Sequence, residues 1–81
     1  MVINLKAGDN LIIPFPGTQS IAMADFNDNL RIVYGNALVD YTCADYKSFY
    51  LPLSIFSSIT EFVPGSAYLV RASSDFDIII P

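Results

Sequence analysis

The side chains that could do chemistry in this chain are carboxylates, one thiol and hydroxyls, because the sequence has eight Asp or Glu, one Cys and no His. Nucleophilic catalysis needs a base beside the nucleophile, and acid–base catalysis by carboxylates needs a pair with separated roles. The acids here are scattered singly, and Asp75 and Asp77 are best interpreted as solvated residues on one face of a strand. Cys43 has no His to activate it and is interpreted as a small buried hydrophobe. We therefore expect a protein that is not an enzyme.

Metal and cofactor sites are also not expected from the residue types. One Cys and no His cannot supply the ligands of a structural zinc site. The segment Asp25-x-Asn27-x-Asn29 has the alternating oxygen side chains of a calcium loop. However, Leu30 stands where that loop needs Gly, and Asn36 stands where it needs a bidentate Glu. We interpret the Asp and Asn side chains as the end of a helix and predict no metal and no cofactor.

Charge and hydropathy exclude two kinds of partner. The formal net charge is −4 with only four Lys or Arg, which argues against binding to a phosphate backbone. Apolar runs are short, such as Leu11–Ile13 and Ile78–Ile80, whereas a membrane-spanning helix needs about 20 apolar residues. Polar residues at positions 4, 6, 9 and 10 interrupt the region where a signal peptide would be apolar. We expect a leaderless protein that does not insert into a membrane.

Short apolar segments between frequent Gly, Pro, Asn and Asp residues predict strands and turns. The fold class predicted is mainly β: a small antiparallel β sandwich or barrel-like domain of about six to seven short strands with one short helix, formed by residues 1–81 as a single domain. The helix is predicted over Thr18–Asn29 with a Thr18 or Ser20 cap. The segments Ser48–Leu53 and Ser54–Ile59 are ambiguous. Strands are predicted at Val2–Leu5, Asn10–Phe15, Leu30–Tyr34, Ala37–Tyr41, Ala67–Ala72 and Phe76–Ile80.

Two hairpins follow from the turn residues between these strands. Gly35-Asn36 suits a two-residue loop, because both residues tolerate positive φ. Ser73-Ser74-Asp75 is predicted to join the last two strands into a second hairpin.

The chain carries more apolar side chain than its size can hide. Apolar residues make up 53% and charged residues 15%, against about 25% charged in an ordinary domain. A domain of this length buries only about 60–65% of the surface of its unfolded chain. Contiguous apolar surface usually marks an interaction site, so we expect part of the surface to be covered by other protein.

The two terminal strands are the predicted interface, because an apolar terminal strand aggregates unless something pairs with it or covers it. Tyr residues add to this prediction, since Tyr is enriched at interfaces. A row of Tyr facing solvent would instead favour stacking on sugar rings. The candidate interface residues are Val2, Ile3, Leu5, Phe76, Ile78, Ile79, Ile80, Tyr46 and Tyr50.

The order of motifs along the chain resembles a family of small β-rich modules. Leu5-Lys6-Ala7-Gly8-Asp9-Asn10-Leu11-Ile12 and Pro64-Gly65-Ser66-Ala67-Tyr68 are similar to the "leucine-x-x-glycine-tryptophan-asparagine-leucine-isoleucine … proline-glycine-x-alanine-tyrosine" pattern of modules in bacterial surface proteins and phage structural proteins. Asp9 stands where the module usually has Trp. The resemblance runs from about Ile3 to Ile79 and implies a compact β-module used for assembly or attachment, with no catalytic residue carried over.

These observations predict a structural protein of a phage virion, as a capsid-decorating or tail-associated component that binds in many copies to other protein subunits. The alternative is a carbohydrate-binding or adhesion module on a virion or cell surface. Nucleic acid is not expected as a partner. The expected location is the virion, with the extracellular surface as the alternative.

Overall fold

Eight short strands and one 3₁₀ helix form the regular structure of residues 1–35 and 48–81, the part of the chain that the computed structural model describes. The mainly β prediction is confirmed. The 3₁₀ helix is Met23–Phe26. The strands are β1 (Val2–Leu5), β2 (Gly8–Ile12), β3 (Ile21–Ala22), β4 (Leu30–Gly35), β5 (Phe49–Tyr50), β6 (Glu61–Phe62), β7 (Tyr68–Ala72) and β8 (Phe76–Ile79).

The strands are arranged in three antiparallel sheets. β2, β7, β4 and β5 form a four-stranded sheet in that order, β1 pairs with β8, and β3 pairs with β6. Eight strands are described where six to seven were expected, because β3, β5 and β6 are two residues long. Strands this short leave too little alternation to be recognised from sequence.

The predicted final hairpin is wrong, although both of its strands exist. β7 pairs with β2 and β4, whereas β8 pairs with β1, so the chain changes sheet between them. The connection from β1 to β2 also passes from one sheet to the other, next to the connection from β7 to β8. Asp75 joins the two connections: its Oδ1 accepts a hydrogen bond from the Ala7 N–H at 2.8 Å, and its Oδ2 lies 3.8 Å from Lys6 Nζ.

The hairpin predicted at Gly35-Asn36 is only partly within the described residues. Gly35 is the last residue of β4, opposite Tyr68, and is not a turn residue there. The Gly35 N–H donates to the Ser48 carbonyl at 2.6 Å. The predicted strand Ala37–Tyr41 lies outside the described residues.

The predicted helix over Thr18–Asn29 is also wrong. The described residues contain no α-helix, and the 3₁₀ helix has Ala22 as its N-cap with no side-chain cap hydrogen bond. β3 takes up the backbone just before it by pairing with β6, and the Met23 N–H donates to the Thr60 carbonyl at 2.9 Å. A short segment rich in Asp and Asn has low helix propensity, so this strand pairing prevails.

The core lies between the three sheets and is centred on aromatic rings. Phe15 and Phe62 stack with ring centroids 5.0 Å apart, and Tyr68 meets Phe62 edge-on at 5.2 Å. Leu5 and Ile78 add apolar side chains from the β1–β8 sheet. Two hydrogen bonds hold the backbone of Phe15 in place and so position its ring. The Phe15 N–H donates to the Ser66 carbonyl, and the Gly65 N–H donates to the Phe15 carbonyl.

Candidate assembly surface

Large apolar side chains project into solvent from the connection after β5. Leu53 is 92% exposed, Ile55 91% and Phe56 76%, and Leu51 is exposed to a lesser degree. Single exposed apolar residues are normal on a protein surface, but neighbouring ones of this size mark interaction sites. We call Leu51–Phe56 the apolar loop.

A turn with an unfavourable residue sets the shape of the apolar loop. The Ser54 N–H donates to the Leu51 carbonyl at 3.0 Å, with Pro52 and Leu53 between them. Leu53 has φ of 64°, and it is the one non-Gly residue with positive φ among those described. A turn with Pro second and positive φ third normally has Gly or Asn at the third position. An ordinary L-residue in this conformation costs about 1–2 kcal/mol, and the Leu53 side chain recovers none of that by burial.

Serine side chains hold the backbone of the apolar loop in place. Ser57 Oγ accepts the Leu51 N–H at 2.9 Å and donates to the Leu51 carbonyl at 3.1 Å. Ser54 Oγ accepts the Phe56 N–H at 3.1 Å. The backbone is therefore tied down while the apolar side chains stay free. A surface held in this way loses less entropy when it binds than a flexible one.

The base of the apolar loop is closed by a second set of hydrogen bonds. Ser58 Oγ accepts the Phe49 N–H at 3.0 Å, and the Ser58 and Ile59 N–H groups donate to the Phe49 carbonyl at 2.9 and 3.2 Å. Residues 48–60 contain no Lys, Arg, Asp or Glu. The loop can therefore be covered by another protein without desolvating a charge of its own, as in the centres of protein interfaces.

A second exposed apolar region lies on the β1–β8 sheet. Val2 and Ile79 are paired across the two strands, and both side chains are more than half exposed. A hollow of about 420 Å³ lies along β8. It is lined by Ser20, Ile21, Ala22, Asp25, Phe26, Asp77, Ile79 and Pro81.

The terminal strands do lie in a sheet, as expected, but only some of the predicted interface residues are accessible. Val2 and Ile79 are exposed, and Ile3 and Phe76 are half-buried and pack against the core. Tyr46 lies outside the described residues. The remaining candidates are core residues in which alternation along the strand turns the side chain inward, and they offer no surface to a partner: Leu5, Ile78, Ile80 and Tyr50.

The sequence interpretation missed the apolar loop. Leu53 lies in the ambiguous segment Ser48–Leu53, and Ile55 and Phe56 lie in Ser54–Ile59, which is ambiguous as well and could be a single helical turn. A signal was present, because these residues alternate with Pro and Ser in a stretch without charge. Neither helical nor strand periodicity assigns a buried face there.

The described Tyr residues do not form a row facing solvent. Tyr50 and Tyr68 are buried, and the Tyr50 hydroxyl donates to Asn27 Oδ1. The Tyr68 hydroxyl accepts the Val63 N–H at 2.7 Å. Tyr34 is half-buried, and the Arg71 guanidinium lies 5.6 Å from its ring centroid. The described Tyr residues therefore do not form a platform on which a sugar could stack.

The residues with calcium-loop spacing have other contacts. Asn27 accepts the Tyr50 hydroxyl, and Asn29 Nδ2 donates to Ser74 Oγ at 2.9 Å. Among the described residues, no three of the types His, Cys, Asp and Glu are grouped closely enough to hold a metal ion. The side chains of Asn27 and Asn29 thus hydrogen-bond the end of the 3₁₀ region to Tyr50 and Ser74, whereas Asp25 lines the hollow.

Neither a protein-family model, nor a curated protein, nor a solved structure matches this chain. In the described part of the chain, no helix has the length and apolar character needed to cross a membrane.

Proposed function

We propose that this chain is a non-enzymatic structural protein that docks on neighbouring protein subunits through the apolar loop. The observation that carries the proposal is the exposure of Leu53, Ile55 and Phe56 on a backbone held by serine hydroxyls. The positive φ of Leu53 adds support, because backbone strain without a folding benefit is typical of functional positions.

The size of the loop favours binding in many copies. Full burial of a large apolar side chain contributes about 1.5–3 kcal/mol, so three such residues give at most about 5–9 kcal/mol. Association costs about 4–15 kcal/mol before any contact counts. One loop therefore binds weakly, and stable attachment needs further contacts or many linked copies on one lattice.

We further propose that the assembly is a phage virion and that the chain is a capsid-decorating or tail-associated component. We base this proposal on the resemblance of the sequence pattern to β-modules of phage structural proteins and on the exposed apolar loop. Location in the virion follows from the same proposal. The alternative, a carbohydrate-binding or adhesion module, has no supporting surface among the described Tyr residues.

The test is cosedimentation of the tagged chain with the particle in which it occurs. We expect the wild-type chain to sediment with capsid or tail proteins in a sucrose gradient. The triple variant Leu53→Ser, Ile55→Ser, Phe56→Ser should stay at the top of the gradient as free chain.

A matched control replaces two exposed apolar residues outside the apolar loop, Ile13→Ser and Val63→Ser, and should cosediment like the wild type. A wild-type chain that sediments alone as a monomer would contradict the proposal. So would a triple variant that stays with the particle.

A further inference from the structure

The register of the β1–β8 sheet determines which backbone groups of β8 remain free. The Ile80 N–H donates to the Met1 carbonyl at 2.8 Å, and the Met1 amino group lies 3.5 Å from the Ile80 carbonyl. Met1 and Ile80 are therefore a hydrogen-bonded pair, and the next pair, Val2 and Ile79, is a non-hydrogen-bonded one. The N–H and C=O of Ile79 consequently point away from β1.

The same alternation applies two residues earlier. Asn4 and Asp77 form the next non-hydrogen-bonded pair, so the backbone groups of Asp77 also point away from β1. Within the described residues, β8 pairs with β1 alone. With respect to residues 1–35 and 48–81, β8 therefore has a free edge, with hydrogen-bonding groups at Asp77 and Ile79.

The hollow beside this edge has the chemistry of a side-chain pocket. Ile21, Phe26 and Ile79 line it with apolar surface, and its volume of about 420 Å³ is in the range of ligand pockets, about 300–1,000 Å³. An extended segment added to a sheet edge gains affinity from the main chain and specificity from pockets for alternate side chains.

Two carboxylates in the hollow indicate the charge of the segment that fits. Asp25 and Asp77 line the hollow, and neither takes part in the described ion pairs, which are Lys6–Asp75 and Asp9–Arg71. Asp77 and Ile79 are two residues apart, so their side chains share one face of β8. The residues opposite them on an added strand would also be two apart.

We infer that the free edge of β8 accepts an extended strand of a neighbouring protein subunit, in which a Lys or Arg lies two residues from an aliphatic side chain. The basic residue faces Asp77 and Asp25, and the aliphatic residue faces Ile79 and the apolar hollow. This inference rests on the proposed assembly function and names the partner's chemistry. The free edge of β1 is less suited, because no β1 residue lines the hollow.

The probe is a blocked eight-residue peptide, acetyl-TVTRTVTT-amide, in which the two Val and the Arg are two residues apart and so share one face of the strand, opposite to Thr side chains. Added at millimolar concentration to the isotopically labelled chain, it should shift the amide NMR signals of Asp77 and Ile79. A matched peptide with Glu in place of Arg should bind at least tenfold more weakly. Asp77→Asn should reduce that preference.

Two proline variants separate edge pairing from other modes of binding. Ile79→Pro removes an outward N–H without removing a β1–β8 hydrogen bond, and Val2→Pro does the same at the opposite edge. We expect Ile79→Pro to lose peptide binding at least tenfold, while Val2→Pro and Ile79→Ala, which both retain the Ile79 N–H, bind measurably. The amide spectrum of each variant reports whether it is folded.

The inference is overturned if the wild-type chain does not bind the peptide, if the Glu peptide binds equally well, or if a folded Ile79→Pro variant binds like the wild type. Its failure is distinct from failure of the proposed function. Loss of cosedimentation in the loop variant, with unchanged cosedimentation of Ile79→Pro, would leave the assembly function intact and remove only the strand site.

Discussion

The inner face of β8, continued by Ile80 just after the strand, and the apolar loop contain the same kinds of side chain in opposite environments. Ile78 and Ile80 are buried, whereas Leu53 and Ile55 are almost fully exposed. Both segments are short and apolar. Their apolar content alone therefore does not decide which of the two is buried.

The difference lies in how each segment satisfies its backbone. The backbone of β8 is hydrogen-bonded to β1. Side chains along the strand alternate between its two faces, so Ile78 and Ile80 point into the core. The backbone of the apolar loop is hydrogen-bonded locally, to Ser54 and Ser57, and no described strand pairs with it. Serine hydroxyls two and six positions from the N–H groups they accept thus leave the apolar side chains of the loop available to a partner.

The largest expected contrast between core and loop is between two Phe residues. Phe62→Ala should destabilise the chain by about 3–5 kcal/mol, because Phe62 is fully buried between Phe15 and Tyr68. Phe56→Ala should change stability by about 0.5 kcal/mol or less, because the ring is mostly exposed. Urea unfolding followed by Tyr fluorescence measures both.

Equal losses from the two Phe substitutions would show that the ring of Phe56 is packed in solution, and the division between core and loop would fail. Phe15→Ala is a useful second measurement. Its loss should resemble that of Phe62→Ala, and the double variant should be non-additive, because the two rings are stacked.

A smaller contrast is expected between two adjacent Ile residues of β8. Ile78→Ala should cost about 2–4 kcal/mol, whereas Ile79→Ala should cost about 0.5 kcal/mol or less. Ile78 is fully buried and Ile79 faces outward at the edge of the hollow. Thermal unfolding of the two variants tests this alternation, and a reversed order would mean that the register of β1 with β8 is shifted by one residue.

The local pattern of apolar and turn residues was enough to predict the positions of several strands. β1 and β4 follow from β-branched and aliphatic runs, and β7 and β8 from the runs on either side of Ser73-Ser74-Asp75. The pairing could not be predicted in the same way. The β1–β8 sheet joins the two ends of the described chain, and turn residues carry no information on contacts at that separation.

The interface was predicted by composition and so was only partly identified. Val2 and Ile79 are exposed, but Leu5, Ile78, Ile80 and Tyr50 are buried, since a sequence reading cannot tell which face of an unpaired strand meets the core. The apolar loop was missed because its exposure depends on Ser57 bonding to Leu51. Such a hydrogen bond is visible only once the loop is closed.

The smallest expected effect addresses the strain in the apolar loop. Leu53→Gly should stabilise the chain by about 0.5–1 kcal/mol, because Gly adopts positive φ without the steric cost that Leu incurs and the exposed Leu side chain loses no packing. Gly also gains more entropy on unfolding, which keeps the increase small. Chemical denaturation at high precision measures this gain in stability. The matched control is Leu51→Gly, at a residue without positive φ, which should be destabilised.

The same Leu53→Gly variant should cosediment less well with the assembly. A chain that becomes more stable as it loses attachment would indicate that Leu53 is kept for binding, whereas a destabilised variant would mean that the Leu53 side chain supports the fold.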